Sequence, residues 1–175
     1  MTRHDFVSNS SSSSFLVFGD PTEKELKWKP EIREVSLPDN TLGGSKFGWD
    51  HLEYSDFFTK LNFCAIQIHY IDFLSKRKFK NRDYYYKQTK KFLEKYPHKT
   101  IVKMLTKVCK DKFDLKVTLK NWDEIGEESW NYYIDHQSSA TEFSNMGMFD
   151  SEDKLYRFLV TKSSYIQGGN DNDPY

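Results

Sequence analysis

The sequence predicts an α+β fold in which strands from the N- and C-terminal parts of the chain form one mostly antiparallel sheet, packed against a block of central helices. Three observations lead to this prediction. Short strand-like runs lie toward both ends of the chain, apolar residues recur at helical spacing through its centre, and an aromatic content of 17% can fill a core. With 175 residues, one domain over residues 1–175 is expected.

The N-terminal part predicts short elements. Residues 15–18 are uniformly apolar, and Asp20 and Pro21 are typical of a helix start. Residues 31–37 alternate as an edge strand does before Pro38. The predicted order is therefore a strand at 15–18, a short helix at 21–29, a strand at 31–37 and a loop at 39–50.

The centre predicts helices. From about Ser55, apolar residues recur at spacings of four, three, four and three, which indicates a central core helix: Phe57, Leu61, Cys64, Ile68 and Ile71. Two further helices are expected at 83–96, before Pro97, and from Thr100 through Cys109. In the C-terminal part, strands are predicted at 113–122, 129–137 and 163–167. A helix is predicted from Ser151, where Leu155, Phe158 and Leu159 recur at helical spacing.

The sequence also predicts the surroundings of two cysteines and one histidine, and the location of the protein. Cys64 and Cys109 fall on apolar helical faces, so we expect reduced core residues rather than a disulfide or a metal site. His69, inside the apolar helix, is expected to be a hydrogen-bonded core histidine. Because the N-terminus lacks the apolar run of a signal peptide and polar residues interrupt the later apolar stretches, the sequence predicts a cytoplasmic protein that does not enter a membrane.

The charges are unevenly distributed, although they sum to zero. Residues 76–120 carry 16 basic and 4 acidic side chains, whereas residues 121–175 carry 3 and 11. Lysines interleaved with aromatic residues suit nucleic acid, although the same pattern suits a solvated helix pair with internal ion pairs. The candidate nucleic-acid ligands are Lys76, Arg77, Lys78, Lys80, Arg82, Lys87, Lys90 and Lys91.

Short polar segments of the sequence contain the other candidate site residues. A turn at Ser10, Ser11, Ser12, Ser13 and Ser14 could hold an anion together with Gln137 and Ser138. Asp135 and His136 are candidates for acid–base chemistry, and His51, Asp171 and Asp173 for metal ligation. None of these stretches has diagnostic ligand spacing, so the simpler explanations are a polar loop or modification target at the serine tract, a solvated loop at 50–53 and a frayed C-terminal tail. The cofactor stays unknown.

The segment from Phe6 to Phe15, FVSNSSSSSF, resembles the start of many small uncharacterised proteins of bacteriophages and some bacteria. The DHQS stretch at 135–138 and the closing GGNDNDPY are similar to other parts of such proteins. The resemblance implies a phage-related accessory protein. It implies no functional residue.

Three functions are therefore compatible with the sequence. The first is a non-catalytic accessory protein that binds a host or phage macromolecule, most simply a protein. The second is a phosphorylated-ligand or metal-dependent enzyme that uses the serine turn with the 135–138 and C-terminal segments. The third is nucleic-acid binding through residues 76–120. Whether the protein is an enzyme, and its oligomeric state, stay open at this stage.

Overall fold

The computed structural model describes residues 2–3, 15–47, 52–76, 84–121, 132–134 and 146–167. Helices and strands alternate irregularly along these segments. In chain order the elements are β1 (Thr2–Arg3), β2 (Phe15–Phe18), α1 (Glu23–Leu26), β3 (Glu34–Leu37), β4 (Lys46–Phe47), β5 (Glu53–Tyr54), α2 (Phe57–Lys76), α3 (Tyr84–Lys95), α4 (His98–Phe113), β6 (Lys116–Leu119), β7 (Tyr133–Ile134), a 3₁₀ helix (Gly147–Asp150), α5 (Glu152–Val160) and β8 (Tyr165–Gln167).

The main sheet joins the two ends of the chain and confirms the predicted fold class. Its order is β1-β2-β8-β5, and every neighbouring pair is antiparallel. Leu16 of β2 lies opposite Ile166 of β8, and both side chains are buried, so the register places their apolar face on the core. The C-terminal strand β8 therefore lies between strands from the first third of the chain.

Two short parallel pairs lie outside that sheet, and the sequence analysis did not foresee them. β3 pairs with β6, and β4 pairs with β7. Parallel pairing requires a long crossover, which the helices between these strands provide. β4 lies inside the stretch 39–50, which we expected to be a loop. The strand was missed because two residues are too few to show alternation.

The helix ends follow local sequence signals. The N-cap of α1 is Thr22 rather than Asp20. The Thr22 hydroxyl accepts a hydrogen bond from the backbone amide of Glu25, and the Glu25 carboxylate accepts one from the backbone amide of Thr22. Ser151 caps α5 through the amide of Lys154. α4 ends at Asp114, which adopts the left-handed conformation with φ of 52°.

The core is built around α2, as predicted. Every residue of α2 from Thr59 to Ile68 is buried, including the polar side chains of Lys60, Asn62 and Gln67. Such a helix is surrounded by protein on all sides. Cys64 and Cys109 are both buried with free thiols, in agreement with the expectation. Among the residues described, no helix combines the length and apolar character needed to cross a membrane.

Candidate functional site

Most of the site residues named from the sequence lie outside the described segments. These are Ser10 to Ser14, His51, Arg77, Lys78, Lys80, Arg82, Asp135, His136, Gln137, Ser138, Asp171 and Asp173. Whether the serine turn, the 135–138 stretch and the C-terminal tail meet in one site therefore stays a prediction. Within the described segments, no group of three or more His, Cys, Asp and Glu side chains is arranged to hold a metal ion.

The candidate nucleic-acid ligands that lie in the described segments differ in their environments. Lys76 forms an ion pair with Asp72 one helical turn earlier, which is the internal pairing that the sequence left open. Lys90 and Lys91 are exposed on α3, and the backbone of Lys87 lies in the same helix.

Three titratable groups of α2 and α4, Cys64, Cys109 and His69, are held in their neutral forms. Burial raises the pKa of the Cys109 thiol to about 12 and that of Cys64 well above its usual value, so neither is a reactive thiolate at neutral pH. Burial lowers the pKa of His69 to about 4, although the nearby Asp72 carboxylate opposes this shift. The His69 ring is therefore uncharged at pH 7.

A groove lies beside α1. It encloses about 490 Å³ and is open to solvent along one side. Most of its lining surface is apolar, with charged side chains at the rim. The lining residues are Thr22, Lys24, Glu25, Trp28, Ser55, Asp56, Phe57, Leu159, Val160 and Lys162. We call this surface the Trp28 groove.

Aromatic stacking holds one wall of the groove in place. The indole of Trp28 meets the ring of Phe57 edge to face at a centroid distance of 5.0 Å, and that of Phe113 at 6.4 Å. Phe57 and Phe113 contact each other at 4.8 Å. Edge-to-face pairs of this kind stabilise a fixed ring orientation. Even so, 41% of the surface of Trp28 stays exposed, and neighbouring Leu26 is 43% exposed.

Glu25 joins the other wall to the C-terminal part of the chain. One carboxylate oxygen accepts the backbone N–H of Lys162 at 2.7 Å, and the other accepts from the amide and hydroxyl of Thr22, also at 2.7 Å. The bond from the Lys162 amide, followed by those from Thr22, lowers the pKa of Glu25 to about 2. The carboxylate is therefore charged throughout the physiological pH range and fixes α1 against the turn after α5.

A buried ammonium supports the groove from behind. Lys60 is 1% exposed, and its Nζ donates to the carbonyl oxygens of Thr161 at 2.7 Å and Ser164 at 3.2 Å. These carbonyls flank Lys162 in the turn that Glu25 binds from the other side. Burial lowers the pKa of Lys60 to about 8, with Asp56 opposing the shift. The turn is thus held by a cation on its inner side and an anion on its outer side.

The arrangement is suited to binding. The walls are fixed by ring stacking and charge-assisted hydrogen bonds before any ligand arrives, so little ordering cost is left to be met on association. An apolar surface with a few polar groups at its edge, next to groups with shifted pKa values, has the usual character of a binding pocket.

Sequence reasoning missed this site, although one signal was readable. The spacing of Thr22 and Glu25 is that of a capping box, which places a carboxylate at the start of α1. The position of Trp28 depends on Phe57 and Phe113 from two other helices, and that of the Lys60 ammonium depends on Thr161 and Ser164, more than 100 positions away. No local pattern reports these contacts.

A comparison of the chain with protein-family models found no match, and searches among curated proteins and solved structures found no similar protein. The resemblance of residues 6–15 to phage and bacterial proteins therefore stays a prediction.

Proposed function

We propose that this protein is a non-catalytic binding protein that recognises an apolar side chain of a partner protein in the Trp28 groove. The observation that carries the proposal is the exposure of two large apolar residues, Leu26 and Trp28, beside a preformed apolar groove. Tryptophan residues of this kind, packed on one side and exposed on the other, are enriched among the side chains that dominate binding energy at protein interfaces.

The openness of the groove favours a protein segment over a small molecule. A site for a small ligand typically encloses most of the ligand surface, whereas this groove leaves one side open. A segment that continues beyond the groove can place one side chain inside and contact the rim with its neighbours. Lys24, Asp56 and Lys162 supply charges of both signs for such rim contacts.

The resemblance of the N-terminal segment supports an accessory role. If the protein belongs with small phage proteins, its partner is a host or phage protein, and a rigid apolar groove is sufficient for that task without any catalytic group.

The first experiment identifies the partner at the groove. Lys24 is replaced by the photoreactive residue benzoylphenylalanine, and the full chain is irradiated in a lysate of a bacterial host. The matched control carries the same residue in place of Phe73, which is 57% exposed on α2 and does not line the groove. We expect one protein to be captured at position 24 and not at position 73.

The second experiment tests the groove with the purified partner. Trp28→Ala removes the main contact, and Ser55→Trp fills the groove while leaving the Trp28 stack in place. We expect each variant to weaken binding at least about 10-fold, which corresponds to about 1.4 kcal/mol. Phe73→Ala should stay within about two-fold of the unmodified chain.

Calorimetric titration gives the affinities, and circular dichroism checks that each variant is folded. Unchanged affinity in both groove variants would show that the partner binds elsewhere. Capture of the same protein at both photoreactive positions would also overturn the proposal.

A further inference from the structure

Helix α4 carries a row of lysines along its solvent side. Lys99, Lys103, Lys107 and Lys110 follow one another at spacings of four, four and three residues. At 3.6 residues per turn and 1.5 Å per residue, the four lie within an arc of about 80° and span about 16 Å of the helix. Most of the buried residues of α4 lie on the opposite side: Ile101, Leu105, Val108 and Cys109. We call the four lysines the α4 lysine row.

Three lysines of this row have no ion-pair partner among the described residues. The ammonium of Lys107 pairs with Glu152 at 2.6 Å and with Asp111 at 3.3 Å. Lys99, Lys103 and Lys110 form no ion pair with any residue in the part of the chain that the structure describes. The row therefore presents a line of positive charge in a chain whose formal net charge is zero.

A basic cleft continues the row at its C-terminal end. The cleft encloses about 440 Å³ and is lined by Arg33, Lys110, Asp114 and Lys116. Its carboxylate, on Asp114, lies 3.6 Å from the guanidinium of Arg33, and both side chains are largely exposed. Lys116 pairs with Glu34 at 2.6 Å. With the carboxylates of Asp114 and Glu34 counted against the three cations, the cleft keeps an excess of one positive charge, which favours an anion.

The surface around the row distinguishes among anionic partners. The exposed large apolar residues within the described segments are Leu26, Trp28, Leu52 and Phe73, and none lies on α4. A protein interface needs apolar or aromatic anchors, and lysine is depleted from its core. A membrane-surface helix needs apolar side chains to insert. A polyanion such as the phosphate backbone of nucleic acid needs regularly spaced charge alone.

We infer that the α4 lysine row and the adjoining cleft bind the sugar–phosphate backbone of duplex nucleic acid without reading its sequence. This activity is separate from partner binding in the Trp28 groove and does not depend on it. Backbone contacts position a protein on a duplex but carry no base information, and the phenylalanine of α4, Phe113, is buried and so cannot stack on unpaired bases.

The inference gives a definite salt dependence. Each phosphate that a lysine neutralises contributes about −0.9 to the slope of log K against log salt concentration. The three unpaired lysines therefore account for a slope of about −2.7. Between 50 and 200 mM salt, such a slope weakens binding by about 40-fold.

The test is a titration of a fluorescently labelled 20-base-pair DNA duplex with the full chain, followed by anisotropy at several salt concentrations. The triple variant Lys99→Gln, Lys103→Gln and Lys110→Gln removes the unpaired charges. The matched control, Lys27→Gln, Lys29→Gln and Lys46→Gln, removes the same charge from exposed positions outside α4 and outside the Trp28 groove. We expect the α4 variant to bind at least 10-fold more weakly at 50 mM salt, with a slope about 2.7 smaller in magnitude, and the control to stay within about two-fold.

Two competitors distinguish the classes of partner. Polyglutamate tests an acidic protein surface, and vesicles that contain anionic lipid test a membrane. The inference is overturned if either competitor binds as tightly as the duplex. Equal binding by the α4 variant and its control, or no binding of duplex at 50 mM salt, overturns it as well.

Discussion

Lys60 carries a charge inside the core at a position where apolar residues surround it in sequence. Burying an ammonium is costly unless acceptors replace the lost water, and here the carbonyl oxygens of Thr161 and Ser164 do so. The side chain also lies over the ring of Phe158, with 5.6 Å between Nζ and the ring centroid. A residue that reads as an interruption of the apolar pattern is therefore one of the contacts that join α2 to the C-terminal turn.

The pKa of Lys60 predicts a specific dependence of stability on pH. In the unfolded chain the amine keeps its proton up to about pH 10.5, whereas in the folded protein it loses the proton near pH 8. Between these values the unfolded state binds more protons, so this residue makes stability rise with pH, by on the order of 3 kcal/mol in total.

The measurement is urea unfolding of the protein and of Lys60→Met between pH 7 and 10.5. Other residues that titrate in this range contribute equally to both chains, so the difference isolates Lys60. Above pH 8, we expect the unfolding free energy to rise more with pH in the unmodified chain than in the variant. Parallel curves would contradict the prediction.

Asp150 is a second residue whose charge is used structurally. Partial burial raises its pKa, but hydrogen bonds from Lys154, Tyr96 and Lys95 outweigh that effect and hold the pKa at about 2. The hydroxyl of Tyr96 and the ammonium of Lys95 bond one carboxylate oxygen, at 2.7 and 3.0 Å. The carboxylate therefore joins the end of α3 to the 3₁₀ helix.

We expect Asp150→Asn to change acid stability. Because the folded pKa is depressed, the stabilisation is complete above about pH 4 and is lost as the pH falls through 2. After allowance for solvent screening, the loss is about 1 kcal/mol. Thermal unfolding between pH 2 and 6 should show a smaller change in Tm for the variant than for the unmodified chain. The same acid sensitivity in both would rule out this role.

At the scale of elements, α1 is a single helical turn that the C-terminal part of the chain holds in place. Isolated helices of this length are unstable in water. Its capping box, the bond from the Lys162 amide to Glu25, and the bond from the Tyr156 hydroxyl to the Leu26 carbonyl at 2.7 Å compensate for that. One wall of the Trp28 groove therefore depends on contacts with α5 and the turn that follows it.

Glu25→Gln tests this dependence. The neutral amide accepts more weakly than a carboxylate, and its NH₂ group cannot accept at all, so α1 should lose roughly 1 kcal/mol of stabilisation. We expect faster hydrogen–deuterium exchange at the Lys162 amide and a lower Tm. Glu31→Gln, at an exposed position outside the groove, is the control. Unchanged exchange at the Lys162 amide would show that its hydrogen bond to Glu25 does not stabilise α1.

How far the sequence predicts the structure also differs from element to element. The spacing of Phe57, Leu61 and Cys64 predicted α2 correctly, because a helix buried on all sides must be apolar over most of its length. Strand pairing was predicted less well: β3 is an edge strand of a two-stranded pair, but its parallel partner β6, from across the central helices, was not predicted. Local alternation reports that a segment is extended, but not which distant partner it meets.

The same limit applies to the candidate site. Thr22 and Glu25 could be recognised from their spacing alone, whereas the exposure of Trp28 follows from how α1, α2 and α4 meet. The serine, histidine and aspartate strings that stood out by composition lie outside the described segments. Composition drew attention to them, but the preformed groove arises from ordinary residues that the fold brings together.

At the scale of the whole molecule, β8 completes the main sheet. Its central residue, Ile166, is 1% exposed and lies opposite Leu16 on one side and Tyr54 on the other. The sheet therefore joins the N-terminal strands to β5 only through this three-residue strand.

Ile166→Ala should destabilise the whole protein rather than one end of it. Removal of a buried isoleucine side chain costs about 2–5 kcal/mol, a large part of the stability of a typical domain. Tyr165→Ala, at the half-buried neighbouring position, is the control and should cost less. Urea unfolding followed by both tryptophan fluorescence and circular dichroism measures the effect. A loss confined to one probe would show that β8 stabilises only its own region.

The position of β8 at the centre of the sheet also bears on synthesis. β2 leaves the ribosome before its partner β8, which is translated about 150 residues later. At about 5–20 residues per second, one edge of β2 waits roughly 10–30 seconds for its neighbour. During that interval the nascent chain exposes an unpaired apolar strand, so cotranslational folding cannot finish and a chaperone has a surface to bind.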